Sequence, residues 1–199
     1  MRVKTEERRQ TIVETAKQLF FQQGYEATSM ATIAKHVGGS KATLYNYFSS
    51  KEDVFEAVME SSTFDDVSGA FKTLSLTAPL QETLFKFGVN YLTSILTPEL
   101  VSVYTMAISE ARRSDVGRHF YRDGPKRGWM TFAEFLQYRA NAGELKEGDF
   151  WLMSQQFKGL LEAELYMPYL LGVIDTPSKT QIELSTDRAI SAFAMIYCP

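Results

Sequence analysis

The chain has 199 residues, of which 45% are hydrophobic and 23% are charged, the balance of an ordinary globular protein. Residues 1–51 carry 8 Lys and Arg against 4 Asp and Glu, whereas the remaining residues carry 13 against 20. This composition excludes a disordered tail protein, a collagen-like repeat and a polycation that coats nucleic acid along its whole length. The charge pattern favours a protein in which only the N-terminal region meets a polyanion.

The cysteine content and the hydropathy pattern indicate where the protein works. Cys198 is the single cysteine, so the chain forms no internal disulfide bond. The first residues lack the apolar run of a signal peptide, and no stretch reaches the roughly 20 apolar residues that span a bilayer. We therefore expect a cytoplasmic protein with no membrane partner.

Helical periodicity predicts three helices in the first 50 residues. The first covers 5–23, where apolar residues share one face and Gly24 acts as a stop. Thr28 or Ser29 can cap a short second helix that ends at Gly38-Gly39. Ser40 can cap a third, running to about Phe48. Together these helices predict a small head with an apolar floor.

The remaining residues predict about six more helices and no strand. They fall at about 51–74, from Pro79, from Pro98, at 125–142, at 149–171 with a kink at Pro168, and at 180–197. The predicted fold class is all-α with roughly nine helices, a helix-turn-helix head fused to a helical-bundle body. We expect a DNA-binding domain at 1–50 and a ligand-binding and dimerisation domain at 51–199, joined by the helix that begins near Lys51.

The segment 29–48 has the outline of a helix-turn-helix, because two short helices flank a tight glycine turn. The outer face of its second helix presents Lys41, Thr43, Asn46 and Tyr47. A lysine neutralises phosphates, a threonine contacts base edges, and a tyrosine hydroxyl reaches phosphate oxygens. On periodicity alone, a three-helix unit with no role on DNA is the alternative.

The run Ser40-Lys41-Ala42-Thr43-Leu44-Tyr45-Asn46-Tyr47-Phe48-Ser49-Ser50-Lys51-Glu52 resembles the DNA-binding head of TetR-family transcriptional regulators. The resemblance implies homodimers on palindromic operators, with the third helix in the major groove. Gly39 departs from the family, which usually has a small apolar residue there, and it predicts a looser turn or a closer approach of the backbone to DNA. By position, the family's DNA contacts fall on Thr28, Ser29, Met30, Ser40, Lys41, Thr43, Tyr45, Asn46, Tyr47 and Lys51.

The body is similar to the AefR-like C-terminal domain class of the same family. The similarity rests on Ser109-Glu110-Ala111-Arg112-Arg113 and on Gln156-Phe157-Lys158-Gly159-Leu160-Leu161. Aromatic residues in the body suit either core packing or the lining of a ligand cavity between helices. The candidate ligand-binding residues are Phe64, Phe71, Phe85, Tyr91, Tyr104, Ile108, Trp129, Phe132, Phe157, Glu162 and Tyr166.

A homodimer is expected through the last two helices, because their apolar content exceeds what a terminal hairpin of a monomer should expose. Two such hairpins would pack about a two-fold axis as a four-helix interface. The candidate interface residues are Phe157, Leu160, Leu161, Ile190, Phe193, Ala194 and Tyr197.

The leading hypothesis is a ligand-responsive transcriptional repressor that binds double-stranded operator DNA and is released by a small apolar or amphipathic effector. An activator fits the same sequence. The alternative is a small-molecule carrier or sensor bundle without specific DNA binding. An enzyme is disfavoured, because the chain has two His, one Cys and no phosphate-binding or nucleophile motif. We expect no catalytic residue, no metal site and no cofactor.

Overall fold

The computed structural model describes residues 5–112 and 115–199, without the side chains of 59–66, 116 and 123, and every regular element in these residues is helical. A π-helical turn, Arg122–Lys126, lies between the seventh and eighth α-helices. The all-α prediction is confirmed. The α-helices are α1 (Glu6–Gln23), α2 (Met30–His36), α3 (Lys41–Tyr45), α4 (Lys51–Phe71), α5 (Leu80–Ile95), α6 (Pro98–Glu110), α7 (Val116–Tyr121), α8 (Arg127–Asn141), α9 (Phe150–Glu162), α10 (Tyr166–Leu170) and α11 (Lys179–Tyr197).

Short polar side chains start the three N-terminal helices. Thr5, Ser29 and Ser40 each accept a hydrogen bond from the backbone N–H three residues later, which satisfies a donor that the helix start leaves unpaired. Gly38 has a φ of 70° and reverses the chain after α2. A residue with a Cβ atom would be strained in this conformation. The local sequence therefore fixes the turn between α2 and α3.

The chain divides into two compact units, and the division falls within α4 and α6. The first unit contains Met1–Asp65 and Ser102–Tyr121, and the second contains Asp66–Val101 and Arg122–Pro199. In the first unit, apolar residues of α1 to α4 meet Val103 and Met106 in one core. Burial of these side chains drives the short helices together, since helices of five or seven residues are unstable alone.

The second unit is a bundle of α5, α8, α9 and α11. Each of these helices buries one apolar face, and Phe87, Phe132, Phe157 and Phe193 are almost completely buried where the faces meet. No single helix in the described ranges is long and apolar enough to cross a membrane. Among these helices, only the bent pair of α5 and α6, counted together, reaches the length and apolar composition of a span.

The predicted helices differ from the structure at several points, and the helix predicted at about 51–74 ends at Phe71. The sequence pattern predicts a third helix that runs to about Phe48, whereas α3 ends three residues earlier, at Tyr45. The predicted helix at 149–171 is broken into α9 and α10 at residues 163–165. Pro168 explains this break, since its ring clashes with the carbonyl four residues earlier and it donates no backbone hydrogen bond. A further difference is the short helix α7, which the sequence pattern does not predict.

Candidate DNA-binding site and aromatic cluster

The outer face of α3 is polar and open to solvent. Lys41, Tyr45 and Asn46 are exposed, while Leu44 on the opposite side is buried in the core of the first unit. The ammonium group of Lys41 lies 5.8 Å from the centre of the Tyr45 ring. A helix that is anchored by one leucine and presents a cation, a phenol and an amide can enter a DNA groove without exposing its core.

Ser40 holds Thr43 in place on this face. The Ser40 Oγ accepts from the Thr43 backbone N–H at 3.1 Å, and the two hydroxyl oxygens lie 2.9 Å apart. The Ser29 hydroxyl makes the same pair of contacts with Thr32 at the start of α2. Both exposed serines thus act as helix caps, and the half-buried Thr43 is held in a fixed orientation.

Arg8 joins α1 to the turn of the helix-turn-helix. Its Nη2 donates to the Val37 carbonyl at 3.0 Å and to the Gly38 carbonyl at 3.4 Å. A Cβ atom on Gly39 would lie 3.2 Å from the same Nη2, closer than most such contacts. Gly39 therefore leaves room for the guanidinium group. Sequence reasoning missed Arg8, and the unusual glycine at position 39 was its only signal.

Two predicted DNA contacts lie inside the first unit. The Thr28 side chain is completely buried, and its hydroxyl donates to the Gly24 carbonyl at 2.8 Å and the Leu19 carbonyl at 3.3 Å. Met30 is also buried in the core. Both side chains therefore serve the unit itself, because the turn at 24–28 needs an internal hydroxyl and α2 needs an apolar anchor. A DNA contact at these two positions stays a prediction.

Tyr47 and Lys51 are half buried and make contacts within the chain. The Tyr47 hydroxyl accepts from the backbone N–H of Thr5 at 3.3 Å. The ammonium group of Lys51 donates to the Tyr25 carbonyl at 3.0 Å and lies 4.0 Å from the centre of the Tyr25 ring. Four of the ten predicted DNA-binding residues share one exposed surface, namely Ser40, Lys41, Tyr45 and Asn46. Thr43 lies at the edge of this surface, and the exposed Ser29 caps α2.

An aromatic cluster fills the centre of the second unit. The ring of Trp129 lies 5.1 Å from Tyr91, 5.3 Å from Phe132 and 5.6 Å from Phe71, all close to edge-to-face. Phe157 stacks on Phe132 with ring centres 5.2 Å apart. These spacings are those of aromatic rings in direct contact. The rings therefore serve as packed core in this conformation, and only Phe71 among these five is partly exposed.

A polar group borders the aromatic cluster where α5 and α9 meet. The Tyr91 hydroxyl donates to Glu162 Oε1 at 2.5 Å, and Lys158 Nζ donates to Glu162 Oε2 at 2.6 Å. Burial, followed by the Glu162 carboxylate, raises the pKa of Tyr166 to about 12. The predicted candidates Tyr91, Glu162 and Tyr166 thus lie close together, while Phe85 is half buried on α5.

Three other predicted ligand-binding residues fall elsewhere. Ile108 is 63% exposed and belongs to the first unit, so it is not one of the packed aromatic and apolar residues of the second. Tyr104 also belongs to the first unit, where its ring packs edge-to-face on Phe120. The side chain of Phe64 lies outside the described residues. Helical spacing identified apolar residues correctly and did not show which unit each one joins.

The predicted dimer residues are mostly internal. Phe157, Leu161, Phe193 and Ile190 are buried within the chain itself, and Phe157 and Phe193 contact each other with ring centres 4.9 Å apart. Their proposed place on an interface is therefore wrong. Leu160, Ala194 and Tyr197 are half buried. The outer faces of α9 and α11 instead expose Leu152, Leu184, Met195 and Ile196.

Two family models match the chain. Residues 12–58 match bacterial regulatory proteins of the tetR family, and residues 82–199 match the AefR-like transcriptional repressor C-terminal domain. The chain is 35% identical over 83 residues to the transcriptional activator FasR of Mycolicibacterium smegmatis, and 42% identical over 52 residues to the transcriptional repressor ComR of Escherichia coli. The alignments cover 42% and 26% of this chain but only 38% and 25% of those two relatives.

Solved structures match almost the whole chain. A TetR-family transcriptional regulator from Mesorhizobium loti superposes with a TM-score of 0.86 at 26% identity, covering 98% of this chain and 100% of that one. The flavonoid-responsive regulator FrrA superposes with a TM-score of 0.83 at 31% identity, covering 98% and 99%. The chain therefore shares its fold with known transcriptional regulators.

Proposed function

The chain belongs to the TetR family of transcriptional regulators, and from this premise we propose that it is a repressor that binds a palindromic operator as a homodimer. The observation that carries the proposal is the exposed polar face of α3 over a buried apolar floor. Repression is favoured because the C-terminal match is to a repressor domain. We assign DNA binding to residues 1–50, and dimerisation and effector binding to 51–199.

On this proposal, α3 lies in the major groove. Lys41 neutralises a phosphate, Tyr45 donates its hydroxyl to another, and Thr43 contacts a base edge. The two copies of α3 in a dimer would sit about 34–36 Å apart, to reach successive major grooves on one face of the DNA. Lys41→Ala should lower the slope of log affinity against log salt by roughly 1, because one phosphate contact is lost. An unchanged slope would exclude Lys41 as a phosphate contact.

We place the dimer interface on the outer faces of α9 and α11. Each face carries exposed residues at helical spacings of four, three and four, and open space surrounds Gly159, so a second helix can approach closely there. Two such hairpins would form a four-helix interface about a two-fold axis. The residues are Leu152, Gln156 and Gly159 on α9 with Ala163 directly after it, and Leu184, Arg188, Ser191 and Met195 on α11.

Light scattering tests this interface. The wild-type chain should have twice the protomer mass of 22.6 kDa at micromolar concentration. The double variant Leu184→Glu with Met195→Glu should be a folded monomer, because four carboxylates would meet across the two-fold axis. Gln81→Glu, at an exposed position on α5, is the matched control and should remain dimeric. A dimeric double variant would move the interface elsewhere.

We further propose that the effector is an apolar or amphipathic small molecule that binds in the second unit. The aromatic cluster supplies apolar surface, and Tyr91 with Glu162 supplies hydrogen-bonding groups at its border. A planar phenolic compound is the first candidate, since FrrA is flavonoid-responsive and aligns along almost the whole chain. Because the rings already contact one another, binding would displace the partly exposed Phe71 or Phe85. The effector would then favour a conformation with lower operator affinity.

Thermal unfolding with quercetin, followed by operator competition, tests the effector proposal. Quercetin should raise the melting temperature and weaken operator binding, and operator DNA should weaken quercetin binding by the same factor. Glu162→Gln should reduce the shift, whereas Glu134→Gln on the exposed side of α8 should not. A flavonoid that stabilises the chain yet leaves operator affinity unchanged would not be an effector.

A further inference from the structure

The helix bundle of the second unit buries serine and threonine side chains of two kinds. Thr83 on α5 and Ser154 on α9 each donate to a backbone carbonyl three or four residues earlier, at 3.0 and 2.7 Å. Ser185 and Thr186 on α11 are buried as completely, yet neither hydroxyl has a hydrogen-bond partner among the described residues. A buried hydroxyl without a partner costs free energy, because it has given up its hydrogen bonds to water.

The Thr186 side chain points toward a neighbouring helix. Within a helix, a threonine hydroxyl can return to a carbonyl one turn earlier, as that of Thr83 does. Thr186 instead faces Gly88 on α5. A Cβ atom added to that glycine would lie 2.6 Å from the Thr186 methyl carbon and 3.6 Å from Thr186 Oγ1. The hydroxyl therefore lies at the junction between α11 and α5.

This junction borders the polar group at the edge of the aromatic cluster. The same added Cβ atom would lie 2.9 Å from Leu161 on α9, so three helices meet at Gly88. Leu161 directly precedes Glu162, and Gly88 lies almost one helical turn before Tyr91, whose hydroxyl donates to that carboxylate. Thr186 therefore packs against both helices that carry the Tyr91–Glu162 pair.

We infer that Thr186 is a ligand-binding residue, whose hydroxyl forms a hydrogen bond with a neutral hydroxyl group of a small aromatic molecule. This inference rests on the proposed effector binding in the second unit, and it adds a second polar group to the Tyr91–Glu162 pair. The ligand class follows from the surroundings, because aromatic rings fill the bundle and an uncharged hydroxyl both donates and accepts. A ligand that reaches Thr186 would supply the hydrogen bond that the described residues do not.

Thermal unfolding without ligand gives the first test, with Thr83→Val as the matched control. Valine has nearly the shape of threonine and lacks the hydroxyl. Thr186→Val should raise the melting temperature by roughly 2–4 °C, because an unpaired buried hydroxyl is replaced by a methyl group. Thr83→Val should not raise it, since the Thr83 hydroxyl is paired. A lower melting temperature for Thr186→Val would show that the hydroxyl already has a structural partner, such as a buried water molecule, and would overturn the inference.

Binding of naphthol and naphthalene, which differ by one hydroxyl group, gives the second test by calorimetry. In Thr186→Val, the ratio of naphthol affinity to naphthalene affinity should fall roughly 3- to 10-fold, because one hydrogen bond to the ligand is lost. Thr83→Val should keep the wild-type ratio, and so should Thr186→Ser, which retains a hydroxyl at this position. An unchanged ratio in Thr186→Val would overturn the inference, as would a wild-type chain that binds neither compound.

Operator binding separates this inference from the proposed function. If naphthol bound through Thr186 and left operator affinity unchanged, the site would stand and the effector proposal would fail for this compound. If naphthol weakened operator binding equally in the wild type and in Thr186→Val at the same naphthol concentration, the effector proposal would stand and Thr186 would not be the residue that binds the ligand.

Discussion

The exposed face of α3 and the aromatic cluster of the second unit illustrate two different relations between sequence and site. On α3, Lys41, Tyr45 and Asn46 are in contact with solvent, and a buried leucine holds them there. In the aromatic cluster, Trp129 and Phe132 contact other rings and have almost no exposed surface. The proposed DNA-binding site is therefore open on the surface, whereas the proposed effector site is also part of the core.

This difference has a consequence for mutagenesis. Substitutions on α3 should alter DNA binding and leave stability almost unchanged, because surface changes away from caps and packing cost little. Substitutions in the aromatic cluster should lower stability whether or not the residue binds an effector. Stability and binding must therefore be measured together for the second unit.

Phe157→Ala is expected to have the largest effect. The side chain is completely buried and contacts Phe132 and Phe193, so its removal should lower the free energy of unfolding by about 3–5 kcal/mol. Leu152→Ala, on the exposed side of the same helix, is the control and should cost less than about 1 kcal/mol. Denaturant unfolding measures both. A small cost at Phe157 would mean that the ring lines an open cavity.

Arg139→Met should have the next largest effect. The buried guanidinium group donates to the Ser75 and Ala78 carbonyls at 2.6 Å and to Glu144 Oε1 at 2.8 Å. Its removal leaves partly buried acceptors unpaired and should lower the free energy of unfolding by about 3 kcal/mol. Glu144→Gln keeps an acceptor and should cost much less. If both variants unfolded at the same denaturant concentration, the two backbone carbonyls would not need Arg139.

Gly38→Ala should cost about 1 kcal/mol, because φ of 70° is unfavourable for alanine while open space surrounds the added methyl group. Gly39→Ala should cost less, since the group that it meets is the mobile end of Arg8. It should nevertheless weaken DNA binding by displacing that guanidinium group from the turn. Equal DNA affinity for wild type and Gly39→Ala would show that Arg8 does not position the turn.

The last expected effect is a pH dependence that is confined to the alkaline range. The pKa of Tyr166 is about 12 in the folded chain against 10.0 for an ordinary tyrosine, because burial and Glu162 disfavour the phenolate. The unfolded chain therefore releases this proton first, and stability falls as the pH rises from 10 to 12. Tyr166→Phe should reduce that decline. An identical decline in both chains would show that Tyr166 is as accessible to water as a free tyrosine.

The sequence was sufficient where a local chemical rule decides the structure. Ser29, Ser40 and Gly38 predicted the caps and the turn, and the fold class followed from helical spacing. It was insufficient where tertiary packing decides. The helical spacing of apolar residues could not show that Phe193 faces inward and Met195 outward. Both residues are apolar and lie on the same helix, and only one side of that helix packs against neighbours.

The same reasoning applies to two polar residues of the first unit. Thr28 and Lys51 are polar, and polar residues beside a helix-turn-helix suggest DNA contacts. Thr28 instead completes a buried turn, and the Lys51 ammonium group lies on a buried ring. A hydroxyl or an ammonium group can satisfy the backbone as well as a nucleic acid, and only the three-dimensional contacts separate the two roles.

Selection of bound sites from random DNA, with the wild-type chain and Thr43→Ala in parallel, tests the central claim most directly. The account predicts a palindrome for the wild type, with half-sites about 10 base pairs apart from centre to centre or a multiple of that distance. Thr43→Ala should recover the same palindrome with relaxed choice at one or two base pairs in each half-site, by about 1–3 kcal/mol. Failure of the wild-type chain to enrich any sequence, or uniform weakening without relaxed choice for Thr43→Ala, would contradict direct reading of DNA by α3.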